Sequence, residues 1–224
     1  MMRLIDHLLN RLTMYRLALY YLVFLLAVAV MFSWAGVLPY DPYALVFTVG
    51  VALAACGITN AIFARTYGVP ANSESSYITA LILALIITPI GSSQDIWFVA
   101  WAGVLAMASK YILALRHKHL FNPVAIAVAI TYLALNQSAS WWVGTPVMLP
   151  FVLLGGLLLV RRIRRFGLVL SFMAAALVAV VLLSVASRQN LAAALQQTVL
   201  YSPLFFFAFI ILTEPLTAPP TRRL

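Results

Sequence analysis

Acidic residues and cysteine are both scarce in this sequence. Five Asp and Glu stand against 14 Lys and Arg in 224 residues, and charged residues make up only 8% of the chain. Soluble domains carry about 25% charged residues, so this composition excludes an ordinary soluble domain. The single cysteine, Cys56, lies in an apolar run, which excludes a disulfide framework and a thiolate metal site.

Several motifs that would carry soluble chemistry are also missing. The chain has no dinucleotide fingerprint, no phosphate-binding glycine loop and no metal-ligand cluster. The three histidines, His7, His117 and His119, fall in segments that we expect to be cytoplasmic, which argues against a haem held within the membrane. The net charge of +9 comes from short clusters between apolar runs. That pattern is typical of cytoplasmic loops, so we expect no binding to nucleic acid.

What the chain has in abundance is hydrophobic sequence, at 65% of its residues. We predict an all-α integral membrane protein with eight transmembrane helices. Residues 1–15 alternate apolar and basic residues at helical spacing, as in an amphipathic helix that lies on the membrane surface. The predicted spans are residues 17–38, 43–64, 76–90, 96–113, 121–136, 146–160, 167–187 and 198–213.

The basic residues predict the orientation. With the N-terminus in the cytoplasm, thirteen of the 14 Lys and Arg fall inside and only Arg188 falls outside. This bias follows the positive-inside rule and predicts that both termini are cytoplasmic. It also requires the short third segment to cross in full.

The third and eighth segments are short, rich in hydroxyl groups and closed by proline. They lie five segments apart with opposite orientation, which is the arrangement of two inverted five-helix units around a central site. We therefore predict a first repeat at residues 16–136 and an incomplete second repeat at residues 146–224. On this interpretation the chain is a fragment or a shortened relative of a ten-helix protein. A natural eight-helix protein is the alternative.

Both glutamates lie at the edges of these short segments. Carboxylates at membrane depth are costly and usually functional, whereas in the headgroup layer they cost little. Glu74 fits either interpretation, and for Glu214, between Thr213 and Pro215, we favour a functional one. Pro89 and Pro215 also free backbone carbonyls one turn earlier, and these need partners.

The loop "SKYILALRHKHLFNP", residues 109–123, joins basic residues to a helix start. Asn122 and Pro123 fit the N-cap and first position of a helix. The helix N-terminus and nearby Lys110 would suit a phosphate group, although a capped, positive-inside loop explains the same residues.

The stretch "SASWWVGTP", residues 138–146, contains two neighbouring tryptophans. We expect Trp141 and Trp142 to lie in the aromatic belt at the outer membrane interface. Thr145 in the same stretch is a hydroxyl with no neighbour that would activate it.

Three blocks, "SSYITALILALIITP", "SKYILALRHKHLFNP" and "FFFAFIILTEPLTAPPTRR", occur in this order. Together they resemble the NqrB/RnfD family, the related membrane proteins of the sodium-pumping NADH:quinone oxidoreductase (Nqr) and of the Rnf electron-transport complex. The resemblance runs from about Ala71 to the C-terminus. It implies a ten-helix, inverted-repeat flavoprotein of a bacterial inner membrane that passes electrons within the membrane, coupled to Na⁺ or H⁺ movement.

The resemblance also implies site residues and partners. The candidate flavin or ion contacts lie in the matching blocks: Ser75, Ser76, Thr79, Lys110, Asn122, Thr213, Glu214 and Thr217. The expected partners are other subunits of a redox complex, or a fused or soluble flavin-nicotinamide reductase.

One departure concerns the flavin itself. Members of the family carry FMN on a threonine of a Ser-x-Ala-Thr motif, and the corresponding stretch here, "LNQSASWWVGTPVMLP", lacks it. Flavin then binds without a covalent bond, or Thr145 replaces the missing threonine, or the flavin is lost. We expect FMN or riboflavin without covalent attachment. A channel or carrier for a small polar solute and a structural anchor for a reductase domain are the alternative functions.

Overall fold

The computed structural model describes residues 13–115 and 118–214. These residues are mostly helical and fall into two compact units, residues 15–142 and 143–214. Of the predicted amphipathic helix, residues 1–12 lie outside the described part. The division falls between the two predicted repeats, while their inverted relationship stays a prediction.

Residues 15–142 hold the helices that position the candidate site. The elements are α1 (Met14–Trp34), α2 (Pro42–Tyr67), α3 (Ser73–Ile86), α4 (Ser93–Ile112), β1 (Ala114–Leu115), β2 (Lys118–His119) and α5 (Pro123–Leu135). The two strands pair antiparallel, with Ala114 opposite His119.

Polar residues mark the helix ends of this unit. The Asp41 side chain accepts from the backbone N–H of Tyr43 at the start of α2, and Gly68 ends that helix with a φ of 64°. Ser92 and Asp95 form a reciprocal capping box at the start of α4. These capping residues pair with backbone groups that a helix end would otherwise leave unpaired. Because such residues are visible in the sequence, the predicted spans of this unit begin within a few residues of the observed helices.

The short helix α3 is enclosed by protein. It packs against α2, α4 and α5, and every residue from Thr79 to Ile87 is buried. Its 14 residues extend about 21 Å at 1.5 Å per residue, which is less than the hydrocarbon core of about 30 Å. Nearby, a Cβ at Gly103 would lie 2.9 Å from the Cβ of Ala55, so the absence of a side chain lets α2 and α4 approach closely.

Residues 143–214 form the second unit. Its elements are α6 (Leu149–Ile163), α7 (Phe166–Ala186), α8 (Leu191–Leu200), α9 (Leu204–Phe206) and a π-helix (Phe207–Ile211). The eighth predicted span, residues 198–213, therefore contains a break, since α8 ends at Leu200 and the chain bends by 54° before Leu204. A Cβ at Gly156 would overlap the ring of Phe209, so α6 meets the π-helix at a glycine.

Three helices of the described residues, α1, α2 and α7, are long and apolar enough to cross a membrane. The bent pair Leu191–Leu200 and Leu204–Ile211 would make a fourth if it acts as one span. The helices α3 and α5 are apolar but shorter. Length and composition thus support three or four spans directly, and the remaining predicted spans depend on the charge pattern.

Candidate functional site

A buried lysine is the central feature of residues 15–142. Lys110 lies in the last turn of α4, where the helix dipole favours a cation. Its side chain is 8% exposed. The ammonium Nζ donates to the backbone carbonyl of Ser75 at 3.0 Å, to Ser75 Oγ at 2.9 Å and to Thr79 Oγ1 at 2.6 Å. These three acceptors are neutral oxygens on α3.

Helical spacing places the three acceptors together. Ser75 and Thr79 are four residues apart, so their side chains share one face of α3. The Thr79 hydroxyl donates to the Ser75 carbonyl at 2.9 Å, which leaves its lone pairs for the lysine. Asn72 caps the same helix by accepting from the backbone N–H of Ser75 at 3.0 Å. The first turn of α3 is thereby fixed against the end of α4.

A cavity of about 160 Å³ opens beside this lysine. Its walls come from the end of α2, the start of α3, the end of α4 and the β2 strand. The lining residues are Asn60, Val69, Pro70, Asn72, Ser75, Met107, Lys110, Tyr111 and His119. The cavity thus combines an apolar wall with one cation and several hydrogen-bonding groups.

Tyr111 and Asn60 form the second polar contact of the cavity. The Tyr111 hydroxyl donates to Asn60 Oδ1 at 2.7 Å, and Asn60 Nδ2 donates to the Asn72 carbonyl at 3.5 Å. The Tyr111 ring also packs against Phe63 and Tyr67, with centroids 5.4 and 5.7 Å away. Asn60 is buried, and a buried amide with these partners holds α2 in register with α3 and α4.

His119 brings a titratable group to the same cavity. Its Nδ1 is buried and has no hydrogen-bond partner within the described residues. Burial lowers the pKa of this imidazole, and the charge of the Lys110 ammonium lowers it further. A hydrogen bond between the imidazole and the backbone of Lys110 acts in the opposite direction and raises the pKa. The neutral imidazole is therefore the favoured form, and an anion in the cavity would favour the protonated one.

The structure brings together three of the predicted site residues, Ser75, Thr79 and Lys110. Ser76 points elsewhere: it is 1% exposed and its Oγ has no partner within the described residues. Asn122 caps α5, accepting from the backbone N–H groups of Val124 and Ala125. It is not among the residues that line the cavity, so the helix start at which a phosphate group was one of two interpretations does not contribute to this cavity.

The remaining predicted residues belong to the other unit or lie beyond it. Thr145 Oγ1 is buried without a hydrogen-bond partner in the described part of the chain, and the Thr145 carbonyl accepts from Met148 and Leu149 as the chain turns into α6. Thr213 is 1% exposed and donates to the Phe209 carbonyl. Glu214 is the last described residue of this unit, and Thr217 lies outside the described residues.

Glu74 has a partner at the surface. Its carboxylate lies 3.2 Å from Nε of Arg16, and the two side chains are 42% and 58% exposed. Exposed ion pairs of this kind contribute about 0–1 kcal/mol. This geometry favours the structural interpretation of Glu74 over a role in binding.

The backbone carbonyls at the end of α3 are paired with residues 140–142. Trp142 Nε1 donates to the carbonyls of Ala84 and Ile87 at 3.1 and 3.0 Å. The backbone N–H of Trp141 and the hydroxyl of Ser140 both donate to the Ile86 carbonyl. Trp142 is 3% exposed, so it caps α3 from inside the protein. The expectation that it lies in an aromatic belt at the membrane interface is therefore wrong.

Four polar residues of the cavity were not predicted from the sequence: Asn60, Asn72, Tyr111 and His119. Asn60 was detectable, because an amide inside the apolar run 43–64 needs a partner in a membrane. His119 was assigned to a cytoplasmic loop without a role. Only the β1–β2 pairing, which folds the chain back toward Lys110, brings it to the cavity.

Comparison with known proteins adds no identification. No protein-family model matches this chain, and no curated protein matches it. Within residues 13–115 and 118–214, no group of three His, Cys, Asp or Glu side chains could hold a metal ion. A proposal for the function therefore rests on the cavity beside Lys110 and on the three sequence blocks.

Proposed function

We propose that this chain is a membrane electron-transfer subunit of the Nqr/Rnf type that holds a flavin in the cavity beside Lys110. The observation that carries the proposal is a buried lysine lining a cavity with an apolar wall. The three sequence blocks supply the class of ligand. Coupling to Na⁺ or H⁺ movement belongs to the same resemblance.

The cavity residues suit one edge of a flavin ring. Val69, Pro70 and Met107 offer apolar surface, and Tyr111 and His119 offer groups for the polar edge. A flavin supplies one- and two-electron transfer, and it gains negative charge on reduction. Protein charge near the ring adjusts its potential.

Lys110 would act on the ring mainly through its charge. The ammonium donates to Ser75 and Thr79, so these two residues hold the lysine in place at the cavity wall. The imidazole of His119 is better placed to bond the ring directly, because its Nδ1 has no hydrogen-bond partner within the described residues. The ammonium would favour the reduced ring and raise its potential, because opposite charges attract strongly where water is excluded.

Flavin attachment through Thr145 is disfavoured by the position of its hydroxyl. The oxygen is buried, so a phosphoester bond there would require the 140–148 segment to open. We propose non-covalent binding of FMN or riboflavin.

The membrane arrangement that goes with this function has eight spans in two repeats, residues 16–136 and 146–224. Both termini lie in the cytoplasm, and the membrane is the inner membrane of a bacterium. The support is the charge pattern and the helices that match the predicted segments. The partners would be other subunits of a redox complex or a flavin-nicotinamide reductase.

A visible spectrum of the detergent-purified protein tests the proposal. We expect flavin absorbance that is lost from the protein on denaturation. Flavin that stays on the denatured chain would contradict non-covalent binding, and its absence from folded protein would favour a channel or an anchor.

A pair of variants tests the location. Lys110→Met should lower the flavin potential or release the flavin. Arg65→Gln, which removes an exposed cation at the end of α2, should change neither. Equal flavin content and potential in both variants would place the flavin elsewhere.

A further inference from the structure

The α3 oxygens that hold the Lys110 ammonium are of the kind that bind a small cation in proteins. One backbone carbonyl and two hydroxyls converge on Nζ at 2.6–3.0 Å. Oxygen donors that replace the hydration shell are also what alkali cations require from a protein. The lysine ammonium is a compact point charge, similar in size to a potassium ion.

The charge of this ligand set selects a monovalent ion. All three oxygens are neutral, whereas protein sites for Ca²⁺ and Mg²⁺ rely on carboxylates. The nearest carboxylate on α3, Glu74, is paired with Arg16 at the surface. A monovalent charge is therefore what this group of oxygens can hold.

The oxygens are fixed before any cation is considered. The Thr79 hydroxyl donates its proton to the Ser75 carbonyl, so its lone pairs remain for a cation. Ser75 is held by the Asn72 cap at the start of α3, and Thr79 is buried. A site with ordered ligands loses little entropy when it binds an ion.

We propose that Ser75 and Thr79 form a monovalent-cation site which this chain fills with its own Lys110 ammonium. While the lysine is in place, the protein needs no dissolved cation there, and no coupling ion binds at this position. Removing the ammonium opens the site to K⁺ or NH₄⁺, which reach it through the adjoining cavity of about 160 Å³. This inference does not depend on flavin binding.

The test measures the thermal unfolding of the full chain in detergent, in choline chloride, NaCl, KCl and NH₄Cl at equal ionic strength. Wild type should unfold at the same temperature in all four salts. In choline chloride, Lys110→Ala should unfold at a lower temperature than wild type. Increasing KCl or NH₄Cl should raise its unfolding temperature by several degrees, because an ion that binds only the folded state stabilises it.

Two controls separate a site from a salt effect. Lys110→Ala combined with Thr79→Val should lose the response to KCl, and Arg65→Ala should show none. A uniform midpoint for Lys110→Ala across the four salts overturns the proposal, as does a response that survives Thr79→Val.

A second variant covers the case in which Lys110→Ala does not fold. If Lys110→Ala folds only in KCl or NH₄Cl, its folding depends on a monovalent cation, as the proposal predicts. If it folds in no salt, Lys110→Ser, with a shorter polar side chain, should show the same preference for KCl over choline chloride. The absence of any preference in that protein overturns the proposal.

Discussion

At the scale of single residues, His119 links stability to pH. Its pKa in the folded protein lies below the usual value, through burial and the Lys110 ammonium, whereas in the unfolded chain it is about 6.5. Between the two values the unfolded chain binds more protons, so stability decreases as pH falls below about 6.5.

Replacing the imidazole should remove this dependence. When the pH is lowered from 7 to about 5.5, we expect the thermal unfolding midpoint of wild type to decrease. The midpoint of His119→Gln should decrease less. His117→Gln, which removes a histidine two positions away, is the matched control. An identical pH profile for wild type and His119→Gln would contradict the assignment.

Gly156 should not tolerate a side chain. A Cβ there would approach Cγ of Phe209 to 2.7 Å and overlap Cδ2, so Gly156→Ala must displace the aromatic ring. We expect a loss of about 1–3 kcal/mol in the free energy of unfolding, as for other overpacked sites. Denaturation of the purified variant would measure it.

Gly50 provides the comparison for Gly156. It lies inside α2 with nothing within 4 Å of its added Cβ. Gly50→Ala should be neutral, or stabilising by up to about 1 kcal/mol, because alanine restricts the unfolded chain and favours a helix. Equal losses for the two substitutions would show that the Phe209 contact is unimportant.

At the scale of elements, the cap on α3 depends on one indole. Trp142→Phe keeps an aromatic side chain, but it replaces the indole by a smaller phenyl ring and removes the donor to the Ala84 and Ile87 carbonyls. Buried acceptors left without partners cost about 1–3 kcal/mol, so we expect a loss of that size in the free energy of unfolding. Faster hydrogen exchange at the end of α3 should accompany it.

Trp141 is the natural control for this change. Its contribution to the cap is the backbone N–H that donates to Ile86 at 2.7 Å, and Trp141→Phe keeps that group. We expect a smaller loss of stability than for Trp142→Phe. The reverse order would mean that the indole hydrogen bonds contribute little.

At the scale of the whole molecule, the membrane orientation can be tested across α7. Arg164 and Arg188 are exposed and flank this helix, and the charge pattern places them on opposite sides of the membrane. With buried Cys56 replaced by serine, Arg188→Cys should react with an impermeant maleimide in intact cells. Arg164→Cys should react only after permeabilisation, and labelling of both in intact cells would contradict the predicted orientation.

The sequence predicted the helices well because apolar runs and capping residues are local signals. The helix starts at Pro42 and Pro123 follow from Asp41 and Asn122, which lie directly before them. Helix breaks without an obvious local signal were harder to predict, and the bend between Leu200 and Leu204 fell inside a predicted span.

The site was predicted only in part, since its members come from distant positions. Ser75, Thr79 and Lys110 were candidates individually, but their mutual hydrogen bonds depend on how α3 packs against α4. Trp142 illustrates the same limit: tryptophan beside a polar segment suits an interface, and only the position of the α3 carbonyls makes it a buried cap.

The cavity lies at one end of α3, and from Thr79 onward this helix is buried, so the cavity is accessible from one side only of the helix. Polar groups gather at the first turn of the helix, residues Thr79 to Ile87 are buried without interruption, and the far end is sealed by Trp142. A ligand that enters beside Lys110 therefore cannot pass along α3 to the far end of the helix and would leave on the side from which it entered. In sealed vesicles, exchange with an external ligand would occur only for molecules inserted with that opening outward, and the exchanging fraction would report the orientation of the population.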